Sequence, residues 1–422
     1  MPSAPTTSLD LTAASVVADP YPHFAAERAE HAVARHDAGG LWLTFTHQAT
    51  SGVLRDRRFG RIWKDRSPAD TQPSDYLEPF NLLHRNQMME NEPPEHTRLR
   101  RLVAGAFNRG HVERLRPRVR SLAGSLLAAV DPAGFDVVRE YAEPLPVLVI
   151  AELLGVPASY APSLREWSQA IVRMYEVAPS GPVTDAAVSA AESFAGLVRE
   201  LAAERAVAPQ DDLISDLVAA RDSPVVEERA QRASFETVAA QPPQEPSRNR
   251  LTDDEVVASA VLLLNAGHEA SVNVFGNGLV SMLTRGLAPG PDVAACVEEM
   301  LRFDSALQLF ERTATADVEL GSVTVAEGEE IAVLLGAANR DPTVFESPDE
   351  FRVSRTPNQH LAFGSGLHFC LGAPLARMEL VESVTALFAT YPDLDLAAEP
   401  VSRGTFVLRG YQNVMVATRR NR

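Results

Sequence analysis

Near its C-terminal end the sequence reads Phe363-Gly-Ser-Gly-Leu-His-Phe-Cys-Leu-Gly-Ala373. The glycines at positions 364, 366 and 372 permit positive φ angles or a close approach of the backbone to another group. The pattern that follows predicts a helix from about Ala373 to Thr390, just beyond Cys370. A thiol at that place meets unpaired backbone N–H groups and the positive end of the helix. We therefore expect the pKa of Cys370 to be lowered.

Four interpretations of Cys370 compete at this point. A thiolate of this kind suits haem iron as an electron-donating axial ligand. A dinucleotide-binding fingerprint needs glycine at position 369, where the chain has Phe369. A catalytic cysteine needs a base, and neighbours in sequence such as His368 seldom form that pair. On this stretch alone, a buried and inert cysteine stays the alternative.

The pattern Phe-Gly-x-Gly-x-His-x-Cys-x-Gly resembles the haem-binding loop of the cytochrome P-450 family of haem-thiolate monooxygenases. The resemblance implies that Cys370 is the proximal iron ligand and that His368 reaches a haem propionate. It also implies that Phe363 and Gly364 belong to the haem-binding residues. The implied fold is mainly α, the cytochrome P-450 fold, with a large helical body, small β-sheets and one haem b.

A second match lies in a predicted helix from Val293 to Phe303. Glu299 and Arg302 form Glu-x-x-Arg, and at this spacing both side chains share one face of a helix. A surface salt bridge, worth under ~1 kcal/mol, is the alternative. In the family the pair ties this helix to the segment before the cysteine loop, and the resemblance implies the same structural role here.

Three further residues match the propionate contacts of the family. His96 and Arg100 lie four positions apart in the stretch 93–100, and Arg312 lies in Phe-Glu-Arg-Thr-Ala. A buried haem dianion needs such donors, because an unpaired buried charge is costly. The alternatives are a solvated arginine and a satisfied core histidine.

The predicted long helix, which a capping box opens at residues 252–255 and which continues to about residue 283, breaks an apolar run with Asn265, Gly267 and Glu269. Glycine within a helix costs about 1 kcal/mol relative to alanine, and such departures tend to mark functional sites. The stretch resembles the oxygen-binding groove of the family. The resemblance implies that Ala266 and Gly267 leave room for O₂ and that Glu269 is the acid of an acid–alcohol pair.

The chain departs from the family at Ala270, where threonine is usual. Ser271 lies about 100° further round the helix, so it does not simply replace the alcohol. Three explanations fit: a substrate hydroxyl or carbonyl orders the proton path, the reaction is not a hydroxylation, or coupling is poor and peroxide is released. We favour the first.

By position in the family, the substrate pocket is expected to involve five residues. These are Met88, Met89, Asn265, Leu309 and Phe406. The alternative for each is simple core packing. Asn265 is the most informative of them, since a polar group there suits a substrate carbonyl.

The composition excludes several classes of function. The 422 residues carry 39 basic and 56 acidic side chains, a net charge of −17, so nucleic acid is an unexpected partner. Two distant cysteines argue against a disulfide framework and a structural zinc site. No signal peptide is evident, and no apolar stretch approaches the ~20 residues of a membrane span. We therefore expect a cytoplasmic protein without a membrane contact.

The resemblance covers nearly the whole chain and implies one haem-thiolate domain over residues 1–422. Residues 223–250 are rich in Pro and Gln and poor in apolar side chains, which predicts a mobile linker inside that domain. Helices are expected at residues 23–34, 48–54 and through most of 95–217, a strand at 41–46, a hairpin at 318–335, and a long, mostly irregular loop at 62–91.

The resemblance implies an enzyme that oxidises a small molecule, by hydroxylation or epoxidation, in natural-product biosynthesis. The chain shows no flavin or iron–sulfur motif. Electrons from NAD(P)H are therefore expected to come through a separate ferredoxin and ferredoxin reductase. Two alternatives stay open: oxidative coupling without oxygen insertion, and a haem-binding sensor without turnover.

Overall fold

A computed structural model describes residues 4–37, 40–67, 72–107, 109–177, 179–222 and 250–418. The linker expected at 223–250 lies, except for its last residue, outside the described residues. The helices are α1 Ala14–Ala18, α2 Tyr21–Glu30, α3 His47–Arg55, α4 Glu78–Arg85, α5 Glu95–Val103, α6 Arg109–Ala129, α7 Pro144–Leu154, α8 Ala161–Val172, α9 Gly181–Val207, α10 Leu213–Asp222, α11 Asp253–Leu283, α12 Val293–Phe303, α13 Leu335–Ala338 and α14 Ala373–Thr390.

The strands are short and form small sheets. They are β1 Thr6–Thr7, β2 Val33–His36, β3 Trp42–Thr44, β4 Phe59–Gly60, β5 Phe135–Asp136, β6 Leu309–Ala314, β7 Val318–Leu320, β8 Val323–Val325, β9 Glu330–Leu334, β10 Leu394–Leu396, β11 Val401–Ser402, β12 Tyr411–Asn413 and β13 Met415–Thr418. The largest sheet has the order β1-β2-β3-β9-β6-β4, beside a three-stranded sheet β10-β13-β5 and the pairs β11-β12 and β7-β8. The mainly α fold with small sheets is confirmed.

The centre of the body is α11. The Thr252 side chain accepts from the Glu255 N–H at 3.2 Å, and the Glu255 carboxylate accepts from the Thr252 N–H at 2.8 Å, so the capping box is confirmed. From Glu255 to the end of the helix almost every residue is buried, against α7, α8, α9 and α12. Among the described residues, no helix has the length and apolar character that crossing a membrane requires.

Two predicted helices of the C-terminal part are confirmed at both ends. Helix α12 spans Val293–Phe303 and α14 spans Ala373–Thr390. Pro374 stands in the first turn of α14, where its missing N–H has no helical partner to lose. The expected hairpin at 318–335 is only partly confirmed, because β7 and β8 pair with each other while β9 joins β3 and β6 in the largest sheet.

One expectation about the N-terminal region was wrong and another is only partly confirmed. The helix expected to reach residue 34 ends at Glu30, since Val33–His36 pairs with β1 and β3 as a strand. The mostly irregular loop expected at 62–91 is irregular over its described residues before Glu78, but α4 and a short 3₁₀ turn occupy its second half. An aromatic stack orders it: the His84 ring lies 4.7 Å from the Trp63 ring and 4.0 Å from that of Phe80. Helical periodicity does not reveal such a stack.

The stack makes the stability of the protein depend on pH. Burial lowers the pKa of His84 to about 4, whereas an unfolded histidine titrates near ~6.5. Between these two pKa values His84 is protonated in the unfolded chain and neutral in the folded chain. The free energy of unfolding therefore falls as the pH drops through this window. As the pH drops through that window, we expect the free energy of unfolding of the His84→Phe variant to fall by up to ~1.4 kcal/mol less per pH unit than that of the wild type. Urea unfolding at several pH values measures this, and parallel curves for the two proteins would contradict it.

Candidate haem site

The cysteine loop is a tight turn pinned to α3. The Cys370 N–H donates to the Phe363 carbonyl oxygen at 3.0 Å, which closes the turn. Gly366 has φ +72°, and a Cβ there would lie 2.3 Å from the Leu54 carbonyl oxygen, so only glycine fits. The Arg55 guanidinium donates to Ser365 Oγ at 2.9 Å. The loop therefore holds the cysteine at a fixed place ahead of α14.

The Cys370 thiol is half-buried within this turn. Burial raises its pKa, and this effect outweighs the hydrogen bonds from the N–H groups of Gly372 and Ala373 and the charges of Arg100 and Arg377, which lower it. The expectation of a lowered pKa was therefore wrong in its net direction, although the helix N–H groups act as expected. A cation placed against the sulfur is the partner that would favour the thiolate.

Helix α11 presents one accessible strip in an otherwise buried length. From Glu255 to Leu283 only Ala266, Gly267 and Ala270 are not buried. Residues 266 and 270 lie four apart and share a face. A Cβ on Gly267 would lie 3.0 Å from Ile150 Cδ1, so this glycine lets α7 approach. The accessible strip lies at the place where the sequence departs from an apolar helix.

Glu269 lies beside this strip and is held by a chain of charges. It is 1% exposed, and its Oε2 accepts from Arg403 Nη1 at 2.5 Å. Arg403 Nη2 also donates to Glu143 Oε1 at 3.0 Å. Burial, with a contribution from the charge of Glu269, raises the pKa of Glu143. Sequence reasoning missed Arg403 and Glu143, because residues more than 120 positions away leave no local signal beside Glu269.

Two further residues of α11, next to the strip, have buried polar atoms without hydrogen bonds among the described residues. Both ring nitrogens of His268 and Oδ1 of Asn265 are buried without a hydrogen bond. Nδ1 of His268 lies 3.5 Å from Glu269 Oε1, and burial lowers the pKa of His268. Ser271 is buried, unlike Ala270. Its hydroxyl therefore does not belong to the accessible strip, in agreement with its position round the helix.

A second buried group gathers around the start of α5 and the strand β6. His96 is 1% exposed and neither ring nitrogen has a partner. Burial, reinforced by His368 and Arg100, lowers its pKa to about 4. Burial, and then the charge of Arg61, lowers the pKa of Arg312 to about 9. Among the described residues no carboxylate lies within ion-pair distance of Arg312. An anion at this place would therefore pair with both Arg312 and His96.

The other two matched residues have protein partners. His368 Nε2 lies 2.7 Å from Glu92 Oε1, and Arg100 Nη2 donates to the Phe369 carbonyl oxygen at 2.8 Å. The His368 ring lies 4.5 Å from the His96 ring. A cavity of about 240 Å³ reaches this place and is lined by Glu92, Arg312 and His368 among others. Sequence reasoning missed Glu92.

The Glu299–Arg302 pair is part of a buried cluster and not a surface salt bridge. Both residues are 0% exposed, and Arg302 donates to both carboxylate oxygens at 2.8 Å. Arg355 Nε donates to the same carboxylate at 3.0 Å, and Arg302 also donates to the carbonyl oxygens of Asn339 and Pro348. The cluster ties α12 to the segment before the cysteine loop, as the family resemblance implied.

Comparison with known proteins identifies this arrangement. The profile of the family described as Cytochrome P450 matches residues 291–391. The chain is 33% identical to the Cytochrome P450 monooxygenase PikC of Streptomyces venezuelae, over 100% of this chain and 96% of that protein. The chain belongs to the cytochrome P450 family. It is accordingly a P450 monooxygenase, an oxidoreductase that uses haem iron.

Solved structures of other P450s share the fold. The structure of P450BioI in complex with an acyl carrier protein ligated with hexadec-9Z-enoic acid has a TM-score of 0.83 at 29% identity, over 96% of this chain and 99% of that one. The structure of CxnD, a P450 enzyme for C–S bond formation in chuangxinmycin biosynthesis, has a TM-score of 0.78 at 25% identity, over 95% of both chains.

The residues of this P450 fit a haem on physical grounds. Cys370 offers a thiol sulfur ahead of α14, and Ala266 and Ala270 leave one strip of α11 accessible. The unpartnered donors of His96 and the buried charge of Arg312 suit the two propionates. A bound dianion would satisfy buried groups that otherwise stay unpaired, which is costly.

The residues expected at the substrate pocket are mostly buried in this P450. Met88 is 9% exposed and Met89 is half-buried against the main core. Leu309 and Phe406 pack in a second core cluster with Phe24. These placements agree with core packing as well as with a pocket wall, so the substrate roles of these residues stay predictions.

Proposed function

We propose that this P450 inserts oxygen into a small organic molecule of natural-product biosynthesis, and that a hydroxyl or carbonyl of the substrate completes the proton path. One observation carries the proposal. The accessible strip of α11 contains Ala266, Gly267 and Ala270 and offers no side-chain hydroxyl, while Ser271 is buried outside it. An oxygen-bearing substrate at this strip supplies the missing group.

A bound haem would supply oxygen activation, and the Cys370 thiolate would donate electron density to its iron. The residues of the chain have separate tasks around it. Cys370 would hold the iron, and His96 and Arg312 would bind the propionates together with Arg100 and His368. Phe363 and Gly364 shape the turn that carries Cys370. These assignments rest on the positions matched to the family and on the unpaired donors described above.

Glu269 is the proton-handling group of the proposal. Its Oε2 is bound to Arg403, whereas its Oε1 accepts no hydrogen bond among the described residues and lies 3.5 Å from His268 Nδ1. A carboxylate with one such oxygen next to the strip is placed to pass a proton to a hydroxyl. With alanine at 270, the receiving hydroxyl belongs to the substrate or to a water that the substrate orders.

We propose a separate ferredoxin and ferredoxin reductase as the source of electrons, and the cytoplasm as the location. The support is the family resemblance and the absence of flavin or iron–sulfur motifs in the sequence. The similarity to a P450 solved with an acyl carrier protein suggests a second form of substrate, an acyl group carried by a protein.

Oxidative coupling is the second candidate function. It is favoured by the structural likeness to a P450 described as an enzyme for C–S bond formation. Bond formation between two substrate atoms would place less demand on an alcohol at position 270. A haem-binding sensor would show no ligand-dependent consumption of NADPH in the presence of redox partners.

The test begins with a ferric absorbance titration against oxygenated macrolides, terpenoids and aromatic cyclic dipeptides. Ligands that displace water from the iron shift the Soret band to shorter wavelength. Turnover of these ligands under ¹⁸O-labelled dioxygen then separates the functions. We expect one labelled oxygen atom in the product. An unlabelled product with a new bond between substrate atoms would replace insertion by coupling.

A further inference from the structure

Two adjacent carboxylates of α12 serve different parts of the chain. Glu299 holds the buried arginine cluster, whereas Glu298 faces the segments on either side of Cys370. Glu298 Oε1 accepts from Arg377 Nε at 2.6 Å, and its Oε2 accepts from Arg377 Nη2 at 2.9 Å. Oε2 also lies 2.9 Å from Nε2 of His360. Glu298 therefore binds one group before the cysteine loop and one group after it.

The hydrogen bonds of His360 indicate which of its two ring nitrogens carries the proton. The Ala362 N–H donates to His360 Nδ1 at 3.2 Å, so the ring proton stands on Nε2 and points at Glu298. Burial alone would raise the pKa of Glu298, but the hydrogen bonds from His360 and Arg377 lower it to about 2. Glu298 is therefore a carboxylate throughout the neutral pH range.

Arg377 brings its charge to the cysteine loop. Its guanidinium carbon lies 4.4 Å from the centre of the Phe363 ring, a cation–π distance. The carbonyl oxygen of Phe363 accepts the hydrogen bond of the Cys370 N–H at 3.0 Å. The Arg377 charge also acts on the thiol, where it lowers the pKa against the effect of burial. The bidentate bond to Glu298 is what holds the guanidinium in this place.

We propose that the Glu298–Arg377 ion pair tunes the reduction potential of the haem iron bound to Cys370. Arg377 favours the reduced, electron-rich state of the iron and sulfur, and Glu298 both positions Arg377 and offsets its charge. The two are positioning residues, since neither is placed against substrate. The inference rests on the proposed function only because it needs a haem on Cys370.

The two members of the pair have opposite expected effects. Reduction adds one negative charge, which a nearby cation stabilises and a nearby anion opposes. Arg377→Gln should therefore shift the potential to more negative values. Glu298→Gln keeps hydrogen-bonding atoms for Arg377 but removes the opposing charge, so it should shift the potential to more positive values. The double variant should lie between the two single variants.

The experiment is a spectroelectrochemical titration of the holoprotein without substrate, for the wild type and the three variants. Absorbance of the ferrous carbon monoxide complex first verifies that each variant keeps its thiolate ligand. A matched control is Arg85→Gln: Arg85 is 37% exposed, against 38% for Arg377, and pairs in the same bidentate way with Glu78 on α4. It should leave the potential unchanged.

Shifts of the same sign in both single variants would overturn the proposal, because loosening of the loop and not charge would then be the cause. Shifts no larger than that of Arg85→Gln would overturn it too. If Arg377→Gln loses the thiolate ligand, Arg377→Lys keeps the charge and should retain the wild-type potential, while Glu298→Gln alone still decides the sign. A wild-type protein with no haem absorption would contradict the proposed function and not the tuning role of the ion pair.

Discussion

Replacing Cys370 by serine should abolish the red-shifted Soret band that thiolate-ligated haem gives with carbon monoxide, and turnover should fall to background. The reason is chemical: a serine hydroxyl stays protonated at neutral pH and donates far less electron density to iron than a thiolate does. The half-buried turn around Cys370 offers no second sulfur, since the other cysteine, Cys296, is fully buried on α12. Absorbance of the reduced protein under carbon monoxide measures the effect.

Cys296→Ser is the matched control for this variant. The Cys296 thiol lies 3.4 Å from the Met282 sulfur, inside the core, and burial raises its pKa to about 12. The folded Cys296→Ser protein should keep the spectrum and the activity of the wild type. A Cys370→Ser protein with the wild-type carbon monoxide spectrum would contradict the assignment of Cys370 as the ligand.

Replacing Glu299 by glutamine should destabilise the protein by about 3–5 kcal/mol, the usual cost of removing one partner of a buried ion pair. The Glu299 carboxylate accepts from the guanidinium groups of Arg302 and Arg355 and from the backbone N–H of Arg352. Glutamine leaves two buried guanidinium groups without an opposing charge. Since domains are stable by only ~5–15 kcal/mol, this is a large fraction of the total.

Urea unfolding followed by circular dichroism measures the loss. Glu330→Gln is the control, because Glu330 pairs with Lys64 at 3.2 Å with both side chains more than half exposed. That change should cost under ~1 kcal/mol. A Glu299→Gln protein as stable as the Glu330→Gln protein would show that the cluster contributes little to the fold.

The local motifs could be read from the sequence because each works within one turn or one helix. The turn of the cysteine loop needs a positive φ of +72° at Gly366, and the capping box at Thr252 joins residues three apart. The pair Glu299–Arg302 lies on one helix face. Short-range geometry of this kind leaves a signature that survives without any knowledge of the rest of the chain.

Contacts between distant segments left no such signature. Arg403 reaches Glu269 across 134 positions, and Glu92 reaches His368 across 276. Helix α4, inside the expected loop at 62–91, was missed for the same reason, because the ring stack around His84 is a tertiary contact. The expected low pKa of Cys370 failed because helix position is visible in a sequence and burial is not.

The most direct test of substrate-assisted proton delivery is the fraction of consumed NADPH that appears as oxidised product rather than as peroxide. It is measured with a hydroxyl-bearing ligand from the titration and with its deoxy analogue, in the wild type and in Ala270→Thr. We expect the deoxy analogue to lower this fraction at least about tenfold in the wild type, the equivalent of ~1.4 kcal/mol, and threonine at 270 to restore it. Equal fractions for both ligands in the wild type, or no change in Ala270→Thr, would contradict the account.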